Sequence, residues 1–278
     1  MIVPWTKLSV VLGTVVLVSG MILAPATFAQ LGGGPPTANQ QLDSRHNEMG
    51  DLTDVQRQNG IDPSQKRAYK KFFALNSQDP DQKIKLGTEF SKKYPTSPFT
   101  EKVDAGLTNA YFVKQDWTNF YTFADKTLAL DPDEVNVLTM VGWVIPHQYD
   151  PSAPGAAAQL ATAESDEKHA LDLLSRMPKP KDMPDAEFES AKTQMTRQAH
   201  SALGLIYFRS GNYASSVKEL QLSTQGTTGT DDTDLFVLGV DLKNMNRQAD
   251  ATAAFTRCSQ MPGPLQSRCQ QEVGQPKK

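Results

Sequence analysis

Few residues in this chain are of types that carry chemistry, and their spacing limits what they can do. The four histidines are His46, His147, His169 and His200. None has a second histidine or a carboxylate at a spacing that would close a zinc shell. Gly32-Gly33-Gly34 runs into Pro35-Pro36, whereas a phosphate loop must feed a helix N-terminus that holds the anion. No Gly-x-Ser-x-Gly elbow and no Gly-x-x-x-x-Gly-Lys cradle is present. Asp231, Asp232 and Asp234 gather three carboxylates but lack the spacing and closing Glu of a calcium loop. They suit a helix start, where acidic oxygens cap free N–H groups and complement the dipole. The expectation is a non-enzymatic protein with no metal and no cofactor.

Bulk composition removes further classes. The 278 residues include 28 basic and 31 acidic side chains, for a net charge of −3. A nucleic-acid footprint would need a clustered basic excess, and an anionic membrane surface would need a polybasic run. Residues 1–29 stand apart. Lys7 is their only charge, Leu8 to Leu23 is apolar apart from small Ser, Thr and Gly, and Ala24-Pro25-Ala26-Thr27-Phe28-Ala29 follows. That order matches a secretory signal peptide cleaved after Ala29. The apolar run of 16 residues is shorter than the roughly 20 that span a bilayer. Membrane attachment follows only if the segment is retained. Residues 30–62, rich in Gly, Pro and polar residues, read as a flexible linker.

From Asp62-Pro63-Ser64 the pattern becomes helical. Ala68, Tyr69, Phe72, Phe73 and Leu75 share a face, and Asp79-Pro80-Asp81 restarts a helix carrying Ile84, Leu86, Phe90 and Tyr94. Helical stretches recur to residue 273 with no convincing strand. Within them lies a repeat. Leu203-Gly204-x-x-Tyr207 leads to Gly211-Asn212-Tyr213, Ser216 and Leu220; 35 residues on, Leu238-Gly239-x-x-Leu242 leads to Ala251 and Phe255. Earlier, Leu107-x-x-x-Tyr111 leads to Gln115-Asp116-Trp117, Ala124 and Leu128, and Val141-Gly142 opens a successor.

These segments resemble the tetratricopeptide repeat. The resemblance implies an all-α solenoid of antiparallel helix pairs over residues 63–273. Each pair cannot bury its own face, so stacking supplies the core. Gly204, Gly239 and Gly142 admit a neighbouring helix, Tyr207 and Tyr213 fill the gap between paired helices, Ser216 and Ala251 stay small at the crossing, and Leu220 and Phe255 pack into the next repeat. Departures are Thr108 in place of the glycine, Phe120 in place of a small residue, and Asn246 in place of the turn glycine. Val141 to Leu203 spans 62 residues, an excess placed around Pro146 to Pro184 and containing a helix from Gln159 to Ser175. Phe90-Ser91-Lys92-Lys93-Tyr94-Pro95-Thr96-Ser97-Pro98 is similar to a stretch in exported bacterial members of that family, among them outer-membrane assembly lipoproteins and cell-division coordinators. The periplasm or cell envelope is therefore the expected setting.

In that family the first helices line a concave groove. Aligning the units turns Asn109, Phe112, Trp143, Leu205, Phe208 and Phe236 toward it, either as exposed anchors for a peptide or as side chains covered by the insertion. The implied function is a scaffold that docks a protein or peptide, with a self-associating envelope scaffold as the alternative. No nucleic acid or small-molecule substrate is implied. Cys258 and Cys269 flank Met261-Pro262-Gly263-Pro264. The turn can bring them together as a disulfide pinning a C-terminal cap; otherwise Cys258 is a small core residue and Cys269 a free thiol.

Overall fold

Local capping chemistry sets where the helices begin. The carboxylate of Asp62 accepts from Ser64 N at 2.8 Å, Asp79 from Gln82 N at 3.1 Å, Asp116 from Asn119 N at 3.2 Å, and Asp231 from Thr233 N at 2.8 Å. The amide oxygen of Asn212 accepts from Ser215 N at 3.2 Å. Each satisfies an N–H that the first helical turn leaves open. The computed structural model describes residues 61–75, 79–181, 183–226 and 231–274. The expected signal peptide, and the expected linker up to residue 60, lie outside these.

Among the described residues there are eleven helices and no strand. They are α1 (Pro63–Phe73), α2 (Pro80–Lys93), α3 (Thr100–Lys114), α4 (Trp117–Leu130), α5 (Val135–His147), α6 (Ala156–Arg176), α7 (Asp185–Arg209), α8 (Tyr213–Ser223), α9 (Asp232–Asn244), α10 (Gln248–Ser259) and α11 (Gln266–Gly274). Every helix packs on its successor, and α1, α3, α5, α7 and α9 also touch in series. None of these helices is long and apolar enough to cross a membrane. The expected helix at 159–175 is α6, slightly longer at both ends.

Three turns repeat one geometry. Gln115, Gly211 and Asn246 all adopt positive φ, at 55°, 73° and 59°. Following each, Asp116 N, Asn212 N and Arg247 N donate back to Tyr111 O, Tyr207 O and Leu242 O at 3.0, 2.8 and 2.8 Å. This six-to-one bond is the helix-ending motif that a left-handed residue permits. Asn tolerates that conformation better than most side chains, so Asn246 replaces the glycine at little cost.

The close approach within pairs is built from unequal side chains. A Cβ on Gly204 would lie 2.5 Å from Leu220 Cδ2, and one on Gly239 would lie 2.5 Å from Phe255 Cε1. Leu220 and Phe255 thus reach back over the glycine of their own pair while also joining the core with Leu235 and Phe236. Ser216, fully buried, donates to Gly204 O at 2.8 Å. In the α3–α4 pair the volumes are reversed: Thr108 and Ala124, both buried, occupy the matching positions sixteen residues apart. Leu107, Leu203 and Ala251 are buried. Tyr111 stacks on Phe123 at 5.4 Å, and Trp117 meets Phe112 and Phe120 edge-on at 6.0 Å. Two tyrosines depart from expectation. Tyr213 opens α8 and is exposed rather than wedged between helices, and Tyr207 donates outward to Glu164 Oε1 of α6 at 2.9 Å.

Cys258 and Cys269 are disulfide-bonded, with Cα atoms 5.8 Å apart. Both are buried beside Leu265, so the bond ties α11 over the end of α9 and α10.

The Gly204 contact yields a test with a sign. Gly204→Ala gains at most about 1 kcal/mol of helix propensity but overpacks Leu220, at about 1–3 kcal/mol. Urea unfolding should show a net loss of stability. In a Leu220→Ala background the same substitution should become neutral or stabilising.

Candidate functional site

An opening lies between α4, α5 and α6. Tyr121, Asp125 and Leu128 face it from α4, Val141, Ile145 and Gln148 from α5 and its C-terminus, and Ala158, Gln159, Thr162 and Asp166 from α6. Each set recurs at three- to four-residue spacing, the period of one helical face. The cavity measures about 600 Å³, within the range of roughly 300–1,000 Å³ that holds ligands. Its floor is apolar. Its α4 and α6 walls each carry an aspartate, with Gln148, Gln159 and Thr162 as further polar groups, and no lining residue is basic. Burial raises the carboxyl of Asp166, with His169 opposing, and pushes the Tyr121 phenol up to about 12.

Why the groove exists follows from the register of α6. In the later pairs the residue sixteen on from the glycine fills the gap. Sixteen on from Gly142 is Ala158, which is exposed and lines the groove. Glu167 takes the contact instead, and a Cβ on Gly142 would lie within 2.6 Å of its carboxyl carbon. Helix α6 therefore crosses α5 nine residues later along its length, about 14 Å at 1.5 Å per residue. Its first turns overhang as a wall. The floor is held from the other side: Arg209 of α7 donates through Nε to Pro146 O at 3.0 Å.

The expected groove residues do not form this opening. Phe112 is buried in the core shared by α3, α4 and α5, and Leu205 and Phe236 are buried in the core around α8 to α10. These three are packing residues, because adjoining helices cover them. Asn109 borders a void of about 10 Å³ with Pro80, Lys83 and Gly106. Phe208 is half-buried, 6.5 Å from the Tyr213 ring. Trp143 stacks on His147 at 3.8 Å and meets Phe112 edge-on at 5.8 Å. Val141 and Ile145 each stand two residues from Trp143, about 200° around the helix. The cavity thus opens on another face of α5. The spacing of Tyr121, Asp125 and Leu128 was the available sequence signal, but it reads equally well as ordinary amphipathic patterning.

Buried carboxylates form a second group. Asp234 is enclosed at the junction of α7, α8 and α9, accepting from Ser201 Oγ and Ser223 Oγ at 2.7 Å each. Burial pushes it up to about 7, with Asp231 adding to the effect and the serines opposing. Asp241 is fully buried and is raised to about 7 by the same cause, against the pull of nearby Ser216. Glu167 is fully buried, neither oxygen has a hydrogen-bond partner, and its pKa is raised well above the carboxylate range by burial and by Asp166. None of the three is among the residues lining the cavity, and burial shifts each toward its neutral form. Elsewhere Glu101, Asp131 and Glu134 place carboxylate oxygens within 4.8 Å of one another. Lys102 Nζ, 3.3 Å from Glu101 and 3.0 Å from Glu134, supplies the balancing charge.

The histidines have structural partners. His200 Nδ1 is 2.7 Å from Glu219, His169 Nε2 is 2.7 Å from Asp133, and His147 Nδ1 is 2.7 Å from Trp143 O. Burial lowers His147 to about 4, so its ring is neutral near pH 7. His46 lies outside the described residues. In comparisons with known proteins, no family model matches this chain and no curated protein matches it.

The buried acids define a pH dependence. Their folded pKa values exceed the unfolded values, so folding favours the protonated form. Stability is fully present below about pH 4 in respect of these groups and is lost as pH rises toward about 7. Melting temperature should fall between pH 5 and pH 8, and Asp234→Asn/Asp241→Asn should flatten that slope. A slope unchanged in the double variant would assign it to other groups.

Proposed function

We propose that this chain is a non-enzymatic protein-binding scaffold of the exported tetratricopeptide type, whose helix pairs stack as a solenoid. The repeated turns at Gln115, Gly211 and Asn246 support the repeat reading. So do the small-against-large contacts of Gly204 and Gly239, and the serial contact of every other helix. The N-terminal sequence supports export to the periplasm or envelope. The observation that carries the function is the groove of about 600 Å³ between α4, α5 and α6. Its floor is apolar and its walls are polar. Docking of a partner segment is the work such a surface does. It would proceed on another face of α5 from the one that the repeat alignment selects.

Two measurements test this reading. The exported protein should begin at Gln30 on N-terminal sequencing. Thr162→Trp should fill the groove while leaving the circular-dichroism spectrum and melting temperature near those of the parent, because Thr162 is exposed on α6. A partner cross-linked to the parent in envelope extract should be lost from Thr162→Trp. Equal capture by both proteins would move binding away from this groove. Trp143→Ala should leave capture in place but cost about 2 kcal/mol or more through lost aromatic packing.

A further inference from the structure

We infer that the groove between α4, α5 and α6 takes a short peptide segment carrying a lysine or arginine among apolar residues; this rests on reading that groove as the docking site. The charge pattern points to the basic residue. Asp125 stands on the α4 wall and Asp166 on the α6 wall, with no lysine or arginine among the lining residues. Neither aspartate is ion-paired with Lys or Arg among the described contacts, whereas Asp81, Glu134, Glu164, Asp172, Asp185, Asp250 and Glu272 all are. A cation entering between the two walls meets complementary charge without displacing an internal partner.

The floor points to the apolar flanks. Leu128, Val141 and Ile145 offer hydrocarbon on which the stem of a long basic side chain, or its aliphatic neighbours, can lie. Gln148, Gln159 and Thr162 at the rim supply amide and hydroxyl groups for a peptide backbone.

Dimensions set the length of the segment. The lining stripe on α4 runs from Tyr121 to Leu128, about 10 Å of helix at 1.5 Å per residue. That length accepts about three extended residues at roughly 3.3 Å each.

The test uses three capped pentapeptides of leucine and alanine with a central lysine, glutamine or glutamate. Each is titrated into the exported protein while the methyl resonances of Leu128, Val141 and Ile145 are followed. The lysine peptide should shift these resonances and bind about tenfold or more tighter than the glutamine peptide, and the glutamate peptide should bind weakest. Asp125→Asn/Asp166→Asn should erase the preference for lysine. The control Glu89→Gln/Glu189→Gln, which removes the same charge from exposed sites elsewhere, should keep it. Thr162→Trp should abolish binding of all three peptides. Equal binding of the lysine and glutamine peptides would overturn the basic preference while the docking groove stands. So would a preference that the control variant loses as fully as the groove variant. Failure of every peptide to shift the floor methyls would overturn this inference and the docking reading together.

Discussion

The structure depends on how closely one helix of a pair can approach the other. At Gly204 and Gly239 the missing side chain lets Leu220 and Phe255 lie directly on a helix backbone. At Thr108 and Ala124 the bulk is carried by the opposite member. Interiors are packed so tightly that one methyl group too many or too few is felt. The summed volume at the crossing is therefore constrained, while its division between the helices is free. Thr108 and Ala124 are both buried, with Leu107 in the core toward α1 and α2 and Phe120 in the core shared with α5.

The α5–α6 pair obeys the same constraint with a different partner, and the groove is the result. Gly142 is as closely approached as Gly204, but the side chain upon it is Glu167 rather than a residue near Ala158. Sliding the crossing along α6 satisfies packing at Gly142 and leaves one face of its first turns, at Ala158, Gln159 and Thr162, open, while Leu160 and Ala163 pack with Ile145 and Ile206. Those turns are the groove wall. A carboxyl side chain as the space-filler carries an energetic consequence. An ionised, unpartnered acid in that position would be costly, so Glu167 is held as the neutral acid. Asp234 and Asp241 repeat the theme at the α7–α8–α9 junction, where serines surround the carboxylates in place of cations.

What the sequence disclosed and what it hid follow from the same physics. Caps at Asp62, Asp79, Asp116, Asn212 and Asp231 depend on a few consecutive residues, and all were readable. The helix at 159–175 was readable from its period. The long N-terminal part of α7 is not marked by the repeat pattern, which opens at Leu203, although Pro184, Asp185 and Glu187 form an ordinary helix start. The groove was hidden for a less local reason. Its position depends on which residue of α6 lies over Gly142, and residues twenty-five apart carry no signature that separates them from residues sixteen apart. The repeat alignment assumed the regular register, and so pointed to Trp143 rather than to Val141 and Ile145. Phe112, Leu205 and Phe236 were misplaced by the same assumption, since a generic groove says nothing of which neighbours cover it.

The separation of duties along α6 explains why such a groove suits recognition. Ala156, Leu160, Ala163, Glu167, Ala170 and Leu174 are the buried positions, spaced four and three residues apart, and they fix the helix to α5 and α7. Ala158, Gln159, Thr162 and Asp166 lie off that stripe and line the groove. The first three are exposed, and surface substitutions of that kind usually change stability by less than about 0.5 kcal/mol. The chemistry of the wall can therefore change without disturbing the register that creates it. Asp125 on α4 is exposed in the same way. The groove wall is thus made of residues that the fold does not need, over a floor of Val141 and Ile145 whose burial it does need.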